Sequence, residues 1–226
     1  MRILAIDTAL EACAAAVLDT EQGKVASESL PMVRGHAEAL LPLVKRVMQQ
    51  ADMAFSALDR IAVTTGPGSF TGLRVGIAAG RGIALAARKP VVGLTTLAAY
   101  AAPLLAQHDQ TSVTAAIDAR HDHVYLQVFG PGGRMLVAPR IIAVRDAVRA
   151  AAHGPARIVG TGARMIADNW PADEPPPVLV EDQRAPDIVW VGRLGIAMNA
   201  EAAPPKPLYL RAPDAQPQAA ARLPRR

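Results

Sequence analysis

The chain has 226 residues, of which 51% are hydrophobic, 19% charged and 4% aromatic. That composition excludes a disordered or collagen-like chain, and no run of about 18 uncharged apolar residues is present to span a bilayer. The formal charge is +4, but Arg222, Arg225 and Arg226 crowd the C-terminal end, so the body is close to neutral and its charge is a weak sign of a polyanionic partner.

Met1 to Asp19 carries acids at Asp7 and Glu11 where a signal peptide needs an unbroken apolar region. Cys13 is the only cysteine, which leaves no internal disulfide and no cysteine-based zinc site. Both features predict a cytoplasmic protein. Residues 2–7 (RILAID) read as a buried strand ending in Asp7. Residues 12–18 and 24–30 flank the turn-like 19–23 and predict a hairpin. Leu40, Val44, Val47 and Ala51 recur at helical spacing and predict a helix over 36–51. Ile61 to Thr65 is a second apolar strand. It runs into Gly66-Pro-Gly-Ser-Phe-Thr-Gly72, a loop that precedes a helix over about 71–88. A strand at 91–94 and a helix over 95–106 follow.

Ser112 to Asp118 repeats the pattern of an apolar run ending in aspartate. Residues 123–129 and 134–138 predict a hairpin around the glycine-rich 130–133. A helix over 144–152, a strand at 157–160, a proline-rich loop at 171–177 and a last helix over 188–200 follow. Past Ala203 the chain is rich in proline, alanine and arginine, and from about Pro213 it reads as a loose tail. The order β-β-β-α-β-α thus occurs twice. This predicts an α/β protein with a duplicated ribonuclease-H-like fold, the architecture of the actin, sugar-kinase and Hsp70 superfamily, with Asp7 and Asp118 facing a cleft. The expected domains are 1–106, 112–203 and a tail at 204–226.

The glycine loop before the second helix has two readings, an anion site made by exposed amides or a tight turn that docks the helix. It lacks the lysine of a Walker A loop and the spacing of a nucleophile elbow. Asp7, Gly66, Gly68, Ser69 and Asp118 are therefore candidate anion or nucleotide contacts. Neither aspartate is followed by phosphate-cradling glycines, which favours a structural role for both. Gly72, Gly76, Gly80 and Ala84 form a ridge at every fourth position. Glycine costs about 0.5–1 kcal/mol in a helix interior, so the ridge predicts a close contact with the sheet or with a partner. Arg74, Arg81 and Arg88 share another stripe, expected to be solvated. His121 and His123 with Asp122 read as ordinary surface residues rather than metal ligands.

Six blocks together resemble the TsaB (YeaZ) family: IDT at 6–8, HAEALLP at 36–42, GPGSFTGLRVG at 66–76, PVVGLTTL at 90–97, DARHDHVY at 118–125 and KPLYLR at 206–211. The resemblance implies a non-catalytic subunit for formation of N6-threonylcarbamoyladenosine beside the anticodon of ANN-decoding tRNAs. Such a subunit pairs with the catalytic TsaD, has the ATPase TsaE as a further partner and meets tRNA indirectly through the complex; when alone it is open to a homodimer as well as a monomer. The sister family TsaD has a His-x-x-x-His metal motif where this chain has Thr96 and Tyr100, so no metal is expected. No cofactor is expected on the isolated chain, with nucleotide admitted only at the partner interface. The resemblance, with the broad apolar surfaces of the two helices, places that interface at Leu40, Leu41, Val44, Val47, Met48, Leu73, Gly76, Ile77 and Gly80. The alternative is an autonomous enzyme, either an ATP-dependent phosphotransferase or a metallopeptidase-like hydrolase.

Overall fold

The computed structural model describes residues 1–107, 110–152 and 154–211. His108, His153 and the tail expected from Pro213, with Arg222, Arg225 and Arg226, lie outside them. The first half runs β1 (Arg2–Asp7), β2 (Ala12–Asp19), β3 (Lys24–Pro31), α1 (His36–Gln50), β4 (Arg60–Thr64), α2 (Phe70–Ala87), β5 (Val91–Leu94) and α3 (Thr96–Leu105). Its sheet has the order β3-β2-β1-β4-β5. β1 is antiparallel to β2, with Ala5 opposite Ala16, and parallel to β4, with Ala5 beside Ala62.

The second half runs β6 (Ser112–Asp118), β7 (His123–Phe129), β8 (Met135–Ala143), α4 (Val144–Ala151), β9 (Ala156–Val159), α5 (Ala163–Ala167), β10 (Leu179–Glu181) and α6 (Ile188–Ala197). Its sheet order, β10-β9-β6-β7-β8, is the first order read from the opposite edge. The duplication extends to the fifth strand, one strand further than the sequence pattern reached. β10 and α5 are too short to carry a detectable period. β8 continues past its expected end through Pro139, which an edge strand tolerates because proline removes only one ladder donor.

Burial explains the layers. Leu4, Ile6, Cys13, Ala15 and Val17 point to α1 and α2 and form one core with Leu40, Val44, Leu73 and Ile77. The alternate residues Ile3, Ala5, Ala14, Ala16 and Leu18 meet Ile188 and Val191 of α6. On the second sheet, Val124, Leu126 and Val128 pack on α4 and α5. Its other face, Val113, Ala115 and Ile117, packs on Leu97, Tyr100 and Leu104 of α3. Each half therefore ends in a helix that covers the other half's sheet. The expected division into 1–106 and 112–203 is corrected: α3 packs with the second sheet and α6 with the first, so the two stretches are not separate packing units. Arg60 at the start of β4 donates to the carbonyls of Gly195 at 2.9 Å and Met198 at 2.6 Å. Arg157 on β9 donates to Leu104 O at 2.9 Å and Gln107 Oε1 at 2.7 Å. A guanidinium placed at a helix C-terminus satisfies carbonyls the helix itself leaves open, and these two hold the exchanged helices.

A second correction concerns α1 and α2. Leu40, Val44, Val47, Met48, Leu73 and Ile77 are buried in the chain's own core, as are Gly76 and Gly80. A Cβ on Gly76 would lie 2.5 Å from Thr8 Oγ1, and one on Gly80 would overlap the Val63 Cγ1 methyl. The ridge seats α2 on its own sheet, so eight of the nine expected interface residues have no surface to offer a partner; only Leu41 does, 58% exposed. What α1 and α2 turn outward is Ala37, Leu41 and Lys45, and Arg74, Ala78, Arg81, Gly82 and Leu85.

Candidate functional site: the cleft and its strap

The carboxyl ends of β1 and β6 face each other across a cavity of about 720 Å³ whose walls include Leu10, Glu11, Ser69, Asp118, Thr161 and Arg184. Cavities of this size in this position are where open α/β sheets hold ligands. The candidate contacts divide here. Gly68, Ser69 and Asp118 line the cavity. Asp7 does not: it is fully buried, and its Oδ1 accepts the Thr64 hydroxyl and the Ala9 N–H at 3.0 Å. Burial pushes the Asp7 carboxyl above its ordinary range, against the lowering effect of those two hydrogen bonds. Asp118 is exposed, and its Oδ1 accepts the Arg120 N–H at 2.7 Å.

The glycine loop is committed to internal bonds. Ser69 N–H donates to Ala9 O at 2.8 Å, Ser69 Oγ caps α2 by accepting Gly72 N–H at 3.3 Å, and Thr8 Oγ1 donates to Gly72 O at 2.7 Å. A Cβ at Gly68 would collide with Ala9 O. These contacts support the tight-turn reading at Ser69 and Gly72.

The sequence reading missed Glu11, Arg120, Asp182, Arg184 and Arg211, which also line the cavity. They come from four separate segments, and only Arg120, inside the DARHDHVY block, and Arg211, which ends the KPLYLR block, carried a signal. Arg184 donates to Glu11 Oε2 at 2.7 Å across the cleft. Three guanidiniums and three carboxylates line the cavity, so the lining is balanced in formal charge. Arg120, His121 and Asp122 all take left-handed backbone, with φ of 63°, 52° and 55°, which costs about 1 kcal/mol each. His123 Nδ1 donates to His121 O at 2.6 Å, which occupies one of its two ring nitrogens. Among the described residues no group of three or more His, Cys, Asp or Glu is placed to hold a metal. Thr96 and Tyr100 lie buried between the halves, where Tyr100 Oη donates to Gln183 O at 2.8 Å.

Residues 204–211, expected to begin a tail, instead form an extended strap over the ends of β4 and β5. Gly93 N–H donates to Ala203 O at 2.9 Å and Leu208 N–H to Thr65 O at 2.8 Å. The strap backbone passes so close that a Cβ on Gly66, at φ +110°, would lie 3.1 Å from Leu208 O, and one on Gly93 2.9 Å from Pro204 O. Glycine at both positions is what admits the strap.

Two mixed sheets of the same strand order, facing across a cleft with helices on every face, define a duplicated α/β protein of the actin and sugar-kinase class. An Arthrobacter inorganic polyphosphate/ATP-glucomannokinase, 12% identical, shares this fold with a TM-score of 0.50 over 87% of this chain and 98% of that one. A family model described as "TsaD: tRNA N6-adenosine threonylcarbamoyltransferase" matches residues 30–185. The tRNA threonylcarbamoyladenosine biosynthesis protein TsaB of Escherichia coli is 40% identical over 125 residues, 55% of this chain and 53% of that protein; the match thus spans about half the length of such curated relatives. The solved YeaZ of Pseudomonas aeruginosa is 30% identical, with a TM-score of 0.74 over 92% of this chain and 99% of its own. The chain belongs to the TsaB (YeaZ) family, within the wider family that the matching model describes.

Proposed function

We propose that the chain acts in tRNA threonylcarbamoyladenosine biosynthesis as a non-catalytic subunit that pairs with a TsaD-type transferase, with a TsaE-type ATPase as a further partner. The observation that carries the pairing is the outward face of α1 and α2. Leu41 is 58% and Leu85 82% exposed, and a Cβ on Gly82 would meet nothing within 4 Å. Ala78, Gly82 and Ala86 form an exposed row of small residues beside Leu85, over which a second helix can approach at close range. The docking residues are therefore the outward Leu41, Ala78, Gly82 and Leu85 rather than the buried set expected from the sequence. The non-catalytic role is supported by Thr96 and Tyr100, side chains committed to the core at the positions that the resemblance sets against the sister family's metal histidines.

Leu41→Glu and Leu85→Glu should each weaken binding to the TsaD-type subunit at least about tenfold, since each sets a charge against a desolvated contact. Melting should stay close to wild type, because both positions are on the surface. Unchanged affinity in the double variant, measured by titration calorimetry, would refute the placement. Transferase activity of the chain alone, in a reconstituted tRNA modification assay without any partner, would refute the non-catalytic role.

A further inference from the structure

We propose that the strap at 203–211 couples the outward face of α2 to the closure of the cleft between the halves. Its anchoring is divided among three bodies. The main-chain bonds at Gly93 and Thr65 attach it to the first sheet. Two arginines of α2 grip it from the side: Arg81 Nη2 donates to Pro205 O at 2.6 Å and Arg74 Nε to Tyr209 Oη at 3.3 Å. The grip is extended by stacking, with the Arg74 guanidinium 3.8 Å from the Phe70 ring centroid and the Phe70 and Tyr209 rings 5.4 Å apart. At its far end Arg211 Nη1 donates to Ala119 O of the second half at 3.0 Å, and Arg211 also forms part of the cavity wall.

The segment from Tyr209 to Arg211 is too short to absorb slack, since an extended chain spans at most about 3.5 Å per residue. A shift of Tyr209 on α2 therefore moves Arg211 and the Ala119 loop with it. That loop leads into the left-handed turn at Arg120–Asp122, a strained connection whose conformation depends on what surrounds it. Arg184 and Glu11 form the second tie across the same mouth. Arg74 and Arg81, on the solvent side of α2, are thus the handles of an intramolecular latch. A partner seated on α2 would engage the same two guanidiniums, and docking and cleft width would then share one equilibrium. The coupling itself is a property of the single chain and stands apart from whether any partner binds there.

The test uses the full chain alone. Spin labels on Lys45→Cys in α1 and Arg149→Cys in α4 report the distance between halves; Cys13 is buried, so labelling is selective for the new thiols. Hydrogen exchange at the Leu208 amide reports strap attachment. Arg74→Ala with Arg81→Ala should speed Leu208 exchange about tenfold and broaden the inter-half distance distribution, although neither residue touches the second half. Arg211→Ala should broaden the distribution as much, and Tyr209→Phe, which removes only the acceptor of Arg74, should broaden it less. Arg88→Ala, on the same stripe, should change neither reading. If Leu208 exchange rises while the distribution keeps its wild-type width, or if Arg211→Ala leaves that width unchanged, the strap does not control the cleft and the proposal fails.

Discussion

Replacing Gly80 by alanine adds one methyl group to α2 at the point where the helix backbone lies against Val63, itself fully buried on β4. Two effects oppose each other. Removing a helical glycine stabilises by about 0.8–1.0 kcal/mol. Forcing a methyl into a packed contact costs about 1–3 kcal/mol, and Val63 has little freedom to yield because a β-branched side chain in a strand interior is held in one rotamer. The net expectation is destabilisation by about 1 kcal/mol. Gly82, two residues on, provides the comparison: its Cβ would meet nothing within 4 Å, so Gly82→Ala keeps the helix gain alone and should stabilise by about 0.8–1.0 kcal/mol. The same chemical change thus has opposite signs on two faces of one helix. The two variants should differ by about 2 kcal/mol, or roughly 4–8 °C in Tm at this chain length, measured by thermal and urea unfolding followed by circular dichroism. Equal stabilisation by both would mean that α2 is not seated on β4 by its glycine ridge, and the outward face would have to be reassigned.

Arg60→Ala should destabilise the chain by about 1.5–3 kcal/mol, because it frees the carbonyls at the end of α6 that Arg60 holds; hydrogen exchange should localise the loosening to α6 and the face of the first sheet it covers. Val44→Asp should unfold the protein rather than merely weaken pairing, since it places an unpaired charge in the core around Val44; a folded monomer by size exclusion would contradict this. For Asp7, a folded-state pKa raised by burial means that the folded chain binds the proton more tightly than the unfolded one. Stability should therefore fall as pH rises from about 4 upward. Asp7→Asn keeps an oxygen to accept from Thr64 and Ala9 and should remove that fall, so its advantage over wild type grows towards neutral pH; a flat difference in unfolding free energy between pH 4 and 7 would refute the assignment.

Short-range pattern was enough for most elements. Ile3, Leu4, Ala5 and Ile6 are buried on both faces of the sheet, as their unbroken apolar run implied. The glycine loop was legible as a strand-to-helix connection, because Ser69 caps α2 and Gly72 opens its first turn. The cavity was legible in part: Gly68, Ser69 and Asp118 lie on it, whereas Glu11, Asp182 and Arg184 reach it from positions whose local sequence carries no mark of a cleft. Asp7 and Asp118 end the matching strands β1 and β6, yet Asp7 is sealed beside Thr64, on the face of the first sheet away from α2, whereas Asp118 opens on the cavity, a difference that the local pattern of an apolar run ending in aspartate does not carry.

The sequence by itself determined where most of the chain is helix, strand and turn, short elements such as α5 and β10 excepted, that the β-β-β-α-β-α unit recurs, and which family the chain resembles, because periodicity, capping and motif spacing are local properties. Tertiary structure alone decided which way each apolar stripe faces. A helix such as α2, apolar on more than one side, fits a sheet and a partner equally well as a pattern. It was the space beneath Gly76 and Gly80, filled by Thr8 just past β1 and by Val63 of β4, that turned the ridge inward and left Leu41 and Leu85 outside. Likewise, nothing local in α3 or α6 states that each covers the other half's sheet. That exchange follows from where Arg60 and Arg157 meet the open carbonyls at the helix ends, a pairing between residues more than forty positions apart.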